Sequence, residues 1–381
     1  MSGWWLGASV TISAIALLVA CASGEGASTV SAPVPGRVAE PAQGGVEDKL
    51  RALIEAARQE GELILVWGEN TAGGKEAVER WNQGFNRAYG LNITFKFTPG
   101  PSMPDVAARI AQEYQAGRPA VSDVYIGSEA HIAALIQANV LEPVDWLSWA
   151  PNIQNPELLA TPDGVAVEIA SRTPGISYHT RKFTGELVPR SLQDLLRPAY
   201  KGRIASTPYA AFFDRLASPE LWGEQRTVEY VTKLADQIAG LMRCGEFERI
   251  ASGEFDAMAI DCGAQDALKM QERGVPIAQV IPSDAAAIVY WYMAVPKNAL
   301  HPNAAKLFIN YILSREAQDI LYDADRSDHY LLDGSRTRGP IQQLQAAGVR
   351  FVEVDVAFVQ RNDEKELSRV REQLQRILQR R

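Results

Sequence analysis

Recognisable catalytic and metal-binding signatures are missing from this chain. Its 381 residues hold only four histidines (His131, His179, His301 and His329) and three cysteines. The histidines do not fall at zinc-site spacing, and neither Cys-x-x-Cys nor His-Glu-x-x-His occurs. There is no Gly-x-x-x-x-Gly-Lys-Ser/Thr loop, no Gly-x-Gly-x-x-Gly after a strand, and no Gly-x-Ser-x-Gly elbow. These absences exclude the usual nucleotide-binding, zinc-peptidase and serine-hydrolase signatures, and no cofactor is expected. One enzymatic alternative stays open, an extracytoplasmic hydrolase with Cys262 as nucleophile and His179 as its base. Positive charge is also short: 38 Lys and Arg against 46 Asp and Glu give a net charge of -8. That balance argues against nucleic acid or an anionic membrane as partner. The arginines near the C-terminus (Arg369, Arg371, Arg376, Arg380, Arg381) fall on an amphipathic helical pattern and read as a solvated face.

What is present at the N-terminus is an uncharged apolar stretch from about Trp4 that closes on Leu18-Val19-Ala20-Cys21, followed by Ala22, Ser23 and Gly24. This is the layout of a bacterial lipoprotein signal, in which Cys21 takes the lipid. The stretch is short for a membrane span and is interrupted by Ser9, Thr11 and Ser13. It departs from the usual pattern in having no Lys or Arg among its first ten residues. Residues 1–20 are expected to leave as signal. Residues 21–46, rich in Ala, Gly, Ser, Pro and Val, are expected to form a flexible tether. The protein is then extracytoplasmic and lipid-anchored. In that oxidising compartment the two remaining cysteines, Cys244 and Cys262, are either a disulfide or two buried thiols.

The remaining chain is long enough for two domains. Helical periodicity at 49–60, 75–89, 106–116 and 130–138 alternates with strand-length apolar runs at 63–67, 92–97 and 123–126, predicting an α/β lobe with a largely parallel sheet. A second alternation begins after Arg172: strands at 202–206, 257–261 and 275–280, and helices at 210–216, 225–239 and 263–272. An extracytoplasmic two-lobed α/β protein without catalytic motifs is expected to be a binder.

Several stretches resemble the solute-binding proteins of ABC importers, specifically the branch containing ferric-iron binders. Gly61-Glu62-Leu63-Ile64-Leu65-Val66-Trp67 is similar to that family's opening strand. Phe85 to Ile93, Ser122-Asp123-Val124-Tyr125 and Val140-Leu141-Glu142-Pro143 follow in the family's order. Leu192 to Ile204, with Tyr200-Lys201-Gly202-Arg203-Ile204, is the strongest match, and Ala304 to Gln318 completes the series. The resemblance implies a type II periplasmic-binding-protein clamshell, two α/β lobes joined by crossing strands near 169–178 and 288–295. Lobe 1 would comprise 47–171 and 290–340, lobe 2 172–289 and 341–381. Such a protein closes on its ligand and delivers it to a membrane permease, and a monomer is expected.

The resemblance also implies where a ligand would sit. Arg172 lies at the first crossing, where iron-binding relatives hold an anion. Thr207, Tyr209 and Ala210 fall where relatives begin a helix whose amides face the ligand. Arg243 falls near another cleft-lining position. Trp67 and Ser128, at strand and helix ends, belong to the same expected lining. Two converging arginines suit a carboxylate or phosphate. The chain departs from the iron pattern at Asp261-Cys262-Gly263-Ala264, where ferric binders carry adjacent tyrosines. A ferric ion would have to rely on Glu69, Glu129, Asp261 and a phenol from Tyr290 or Tyr292. Cys262 and Cys244, eighteen residues apart, both fall near the implied cleft, and a bond between them would pin its loops.

Overall fold

Residues 43–380 are described in a computed structural model of the chain. Cys21 and most of the expected tether lie outside the described residues. The first helix, Gln43–Glu60, begins before the expected position and lays Leu50, Leu53, Ile54 and Ala57 on the core of the first lobe.

The first lobe is built on a mixed sheet. Strands Glu62–Gly68 and Thr94–Gly100 pair in parallel, and a bridge from Leu65 to Val124 leads to strand Tyr125–Ser128. The sheet is not largely parallel because the long strand Ala287–Ala294 returns from the second lobe. It runs antiparallel to Tyr125–Ser128 on one edge and to Val167–Arg172 on the other. A strand with neighbours on both edges and buried on both faces reads as a continuous apolar run, which explains Ala285 to Val295. Trp81, Phe85, Phe95 and Phe308 pack mostly edge to face in this core, with ring centroids 5.1 to 6.4 Å apart.

The second lobe carries a five-stranded sheet in the order Gly240–Leu241, Ile204–Ser206, Ala257–Met258, Ile176–His179, Ile277–Val280. Phe183, Tyr200, Phe213 and Tyr230 fill its core. Two segments join the sheets. Thr173-Pro174-Gly175 connects Val167–Arg172 to Ile176–His179, as expected. The return runs through 281–286, ahead of the expected 288–295, because that apolar run is already inside the first sheet.

The C-terminal part divides between the lobes. Residues 341–356, expected with lobe 2, pack on the first: Val352–Val354 pairs in parallel with Ala287, Ile288 and Val289, and Ile341 and Val356 bury against Tyr290 and Tyr292. Helix Glu364–Gln379 then sets Val370, Leu374 and Leu378 into the second core. No helix among the described residues is long and apolar enough to cross a membrane.

Candidate functional site

A cavity of about 400 Å³ lies beside the two crossings, within the range of roughly 300–1,000 Å³ usual for small-molecule sites. Residues of both lobes line it. The crossings contribute Ser171, Arg172 and Thr173 on one side and Gln279, Val280 and Ile281 on the other. Helix Gln265–Glu272 of the second lobe presents Gln265, Leu268 and Gln271. The first lobe contributes Tyr322, Arg326, Arg336 and the Thr337–Leu344 stretch. Three arginines and four glutamines face this space, and among the described residues no aspartate or glutamate lines it.

Arg172 is the deepest of the cations. Its strand delivers it to the hinge, where its guanidinium carbon stands 3.4 Å from the centroid of the Trp291 ring. Its Nη2 donates to Asp325, and its Nε is buried without a partner. Asp325 also receives Ser327 Oγ at 2.6 Å and faces Lys269 of the second lobe at 3.7 Å. Arg326 reaches across to Glu272, with Nε 2.6 Å from Oε1. Charges on this side of the hinge therefore tie one lobe to the other. Gly263 makes room for Arg172. Its φ of +120° is in the region that side chains avoid, and a Cβ there would stand 3.2 Å from the Arg172 Cβ and 2.4 Å from Gln265 Oε1.

Of the residues expected to line a ligand site, Arg172 is the one that faces this cavity. Trp67 is buried in the first core, its ring 5.4 Å from that of Phe97. Glu69 is exposed on the loop after the first strand. Ser128 closes the start of helix Glu129–Gln137, its amide donating to His131 Nδ1 at 3.4 Å. Glu129 accepts from Arg215 of the second lobe at 2.9 Å. Tyr290 is buried in the first lobe, stacked on His329 at 5.7 Å, because its strand is central in the sheet. Asp261 is buried in the second lobe and accepts from the amides of Gly175 and Gly263, from Ser177 Oγ and from Gln279 Nε2. Glu69, Glu129 and Asp261 thus have separate environments, and among the described residues no three His, Cys, Asp or Glu side chains group to hold a metal.

The expected anion cradle after Ile204–Ser206 is also altered. The helix is only Phe213–Leu216, and Ala210 and Phe212 take positive φ of 52° and 63°. Thr207 Oγ1 already accepts from the Ala211 amide at 2.8 Å, and Asp214 accepts from the Arg215 amide at 3.0 Å. Those amides are occupied within the turn, and an acid sits where an anion would bind.

Tyr209, Arg243, Cys244 and Cys262 form a separate group in the second lobe. Tyr209 Oη accepts from the Cys244 amide at 2.8 Å, and Arg243 is exposed beside it. Cys244 and Cys262 are joined in a disulfide with Cα atoms 6.0 Å apart. With its sulfur in that bond, Cys262 offers no thiol to a hydrolase mechanism. A cross-link over 18 residues stabilises by about 3 kcal/mol in the chain-entropy account. The double variant Cys244→Ser, Cys262→Ser is expected to lose roughly that much in urea unfolding. A loss under about 1 kcal/mol would show that the loop is held by its other contacts.

Gln265, Gln279, Arg326 and Arg336 were not among the expected site residues. One signal was available: the charge-dense run Asp323-Ala324-Asp325-Arg326-Ser327-Asp328, which lies just after the last family-like stretch.

Comparison with known proteins places these features. The family model described as "Bacterial extracellular solute-binding protein" matches residues 121–330. The major ferric iron-binding protein of Neisseria gonorrhoeae is 26% identical over 261 residues, covering 65% of this chain and 75% of the relative. Among solved structures, the substrate binding protein of an ABC transporter from Agrobacterium tumefaciens superposes with a TM-score of 0.67 at 19% identity, covering 84% of this chain and 96% of that one. Iron-bound HitA from Pseudomonas aeruginosa gives 0.65 at 18% identity, covering 82% and 99%. AfuA from Actinobacillus pleuropneumoniae, with exogenous fructose-6-phosphate bound, gives 0.62 at 19% identity, covering 82% and 97%.

Proposed function

We propose a function that starts from one premise: the chain belongs to the bacterial extracellular solute-binding proteins. It acts as the substrate-binding component of an ABC importer, capturing a small anionic solute between its lobes and handing it to a membrane permease. The observation that carries the anionic reading is the buried, unpartnered Nε of Arg172 in an inter-lobe cavity that Arg326 and Arg336 also line; the carboxylates that pair with these arginines, Asp325, Glu272, Asp319 and Asp323, are not among the described lining residues. An anion gains charge-assisted hydrogen bonds there in a partly desolvated setting. The protein works as a monomer, and Cys21 carries a lipid that holds it outside the cytoplasmic membrane. The bound-sugar-phosphate neighbour is consistent with such a ligand. The relatives named for ferric iron favour a metal instead, but two of the three carboxylates that would replace the missing tyrosines, Glu129 and Asp261, are engaged elsewhere, and Glu69 stands apart on an exposed loop.

Thermal shift and isothermal titration with phosphate, acetate, hexanoate and ferric citrate test this reading. At least one of the three simple anions should stabilise the purified protein. Arg172→Gln should weaken that binding about tenfold or more, since a hydrogen bond to a charged group contributes roughly 1.5–3 kcal/mol. Stabilisation by ferric citrate alone would overturn the anion assignment.

A further inference from the structure

The charge of this cavity is only half of its chemistry. Besides the arginines, Leu268, Ile281 and Leu344 line the space, and all three are only half-buried. Leu268 comes from the second lobe, Ile281 from the return crossing and Leu344 from helix Arg338–Ala346 of the first. Aliphatic side chains from three separate segments therefore leave apolar surface in the lining of one cavity. A bare ion or inorganic phosphate would leave that surface uncovered. Burial of apolar area is the main favourable term available to a ligand that reaches it.

We infer that the solute is an amphiphilic organic anion: a carboxylate carrying an apolar aliphatic or aromatic body. The carboxylate binds on the Arg172 side and the body lies against Leu268, Ile281 and Leu344. Tyr322 belongs to the cationic wall, with Arg336 standing 4.0 Å from its ring centroid. That stacking fixes the Arg336 side chain in the lining and keeps its charge at the rim. The inference rests on the assignment of this cavity as the anion site and adds the class of body attached to the anion.

Isothermal titration with acetate, hexanoate, phenylacetate and inorganic phosphate tests it on the intact protein. Hexanoate has four more methylenes than acetate, each of which gains from burial against the aliphatic lining. Hexanoate and phenylacetate should bind about tenfold or more tightly than acetate. Leu268→Asn should reduce that preference at least about threefold; Leu268 is half-exposed, so the variant should fold, which its urea midpoint checks. Equal affinity for acetate and hexanoate would overturn the inference. If phosphate nevertheless binds and Arg172→Gln abolishes it, the anion site stands and only the apolar body is lost. If no anion binds, both readings fail together.

Discussion

Replacing Arg215 by methionine is expected to destabilise the folded protein by about 3–5 kcal/mol. Arg215 is only 6% exposed. Its Nη2 donates to Glu129 of the first lobe at 2.9 Å and its Nη1 to Asp214 at 2.9 Å, with Glu364 at 3.7 Å. Arg371 supports the group from helix Glu364–Gln379, with Nε 2.7 Å from Asp214 and Nη2 3.1 Å from Glu364. Methionine fills similar space but leaves Glu129 buried without a charge partner, and that uncompensated charge is the source of the cost. Burial already holds the Glu129 carboxyl above its usual range, with Arg215 pulling the other way. Without Arg215 the carboxyl takes up a proton more readily still, so the deficit should shrink as pH falls towards 5. Urea unfolding at pH 7.5 and 5 measures both effects. The double variant Glu129→Gln, Arg215→Met should recover part of the loss at pH 7.5, because the orphan charge is gone. A single-variant loss under about 1 kcal/mol would show that water reaches Glu129 when Arg215 is removed.

This network shows why some of the molecule was legible in the sequence and some was not. Glu129 and Arg215 are 86 residues apart and belong to different lobes. No local pattern joins them, so Glu129 read as a free candidate ligand. The alternation of strands and helices was legible because the core imposes period on each segment: Val78, Trp81 and Phe85 mark one helix face and are buried together. The cysteine pair was legible by parity once Cys21 was set aside, and the bond is there. Tyr290 was misplaced for the opposite reason. A continuous apolar run shows that a strand is buried but not which of its residues meets a cleft. At Thr207 to Phe212 the Ala211 amide is spent locally and Ala210 and Phe212 enter positive φ, which sequence similarity does not reveal. The cavity lining was hardest to see, since it comes from five separate segments brought together by the crossings.

Asp261 has the second large expected effect, and its sign runs against intuition. Replacing it with asparagine should stabilise the protein above pH 7. The carboxyl is fully buried in the second lobe, and burial pushes its pKa up to about 7, against the hydrogen bonds that favour the charged form. The geometry lets the neutral acid keep its partners. Oδ1 receives the amides of Gly175 and Gly263 and the Gln279 side chain, each at 2.9 Å. Oδ2 faces Ser177 Oγ at 2.5 Å, and that hydroxyl can turn to accept the proton of a carboxylic acid. A folded-state pKa raised above the unfolded value of about 4 means that the folded form binds the proton more tightly. Its contribution to stability is full below pH 4 and is lost as pH rises to about 7. Over that interval the loss is of the order of 4 kcal/mol, at about 1.36 kcal/mol per unit. Asp261→Asn mimics the neutral acid, with its amide group donating to Ser177. The variant should therefore lack this part of the pH dependence, matching the native protein near pH 4.5 and exceeding it at pH 8. Asp261→Ala should instead lose stability at both, because the Gly175 and Gly263 amides are left without an acceptor. Urea midpoints for the three proteins between pH 4.5 and 8 decide the matter. Parallel pH profiles for the native protein and Asp261→Asn would mean that Asp261 stays ionised throughout, held by its donors rather than neutralised by its burial.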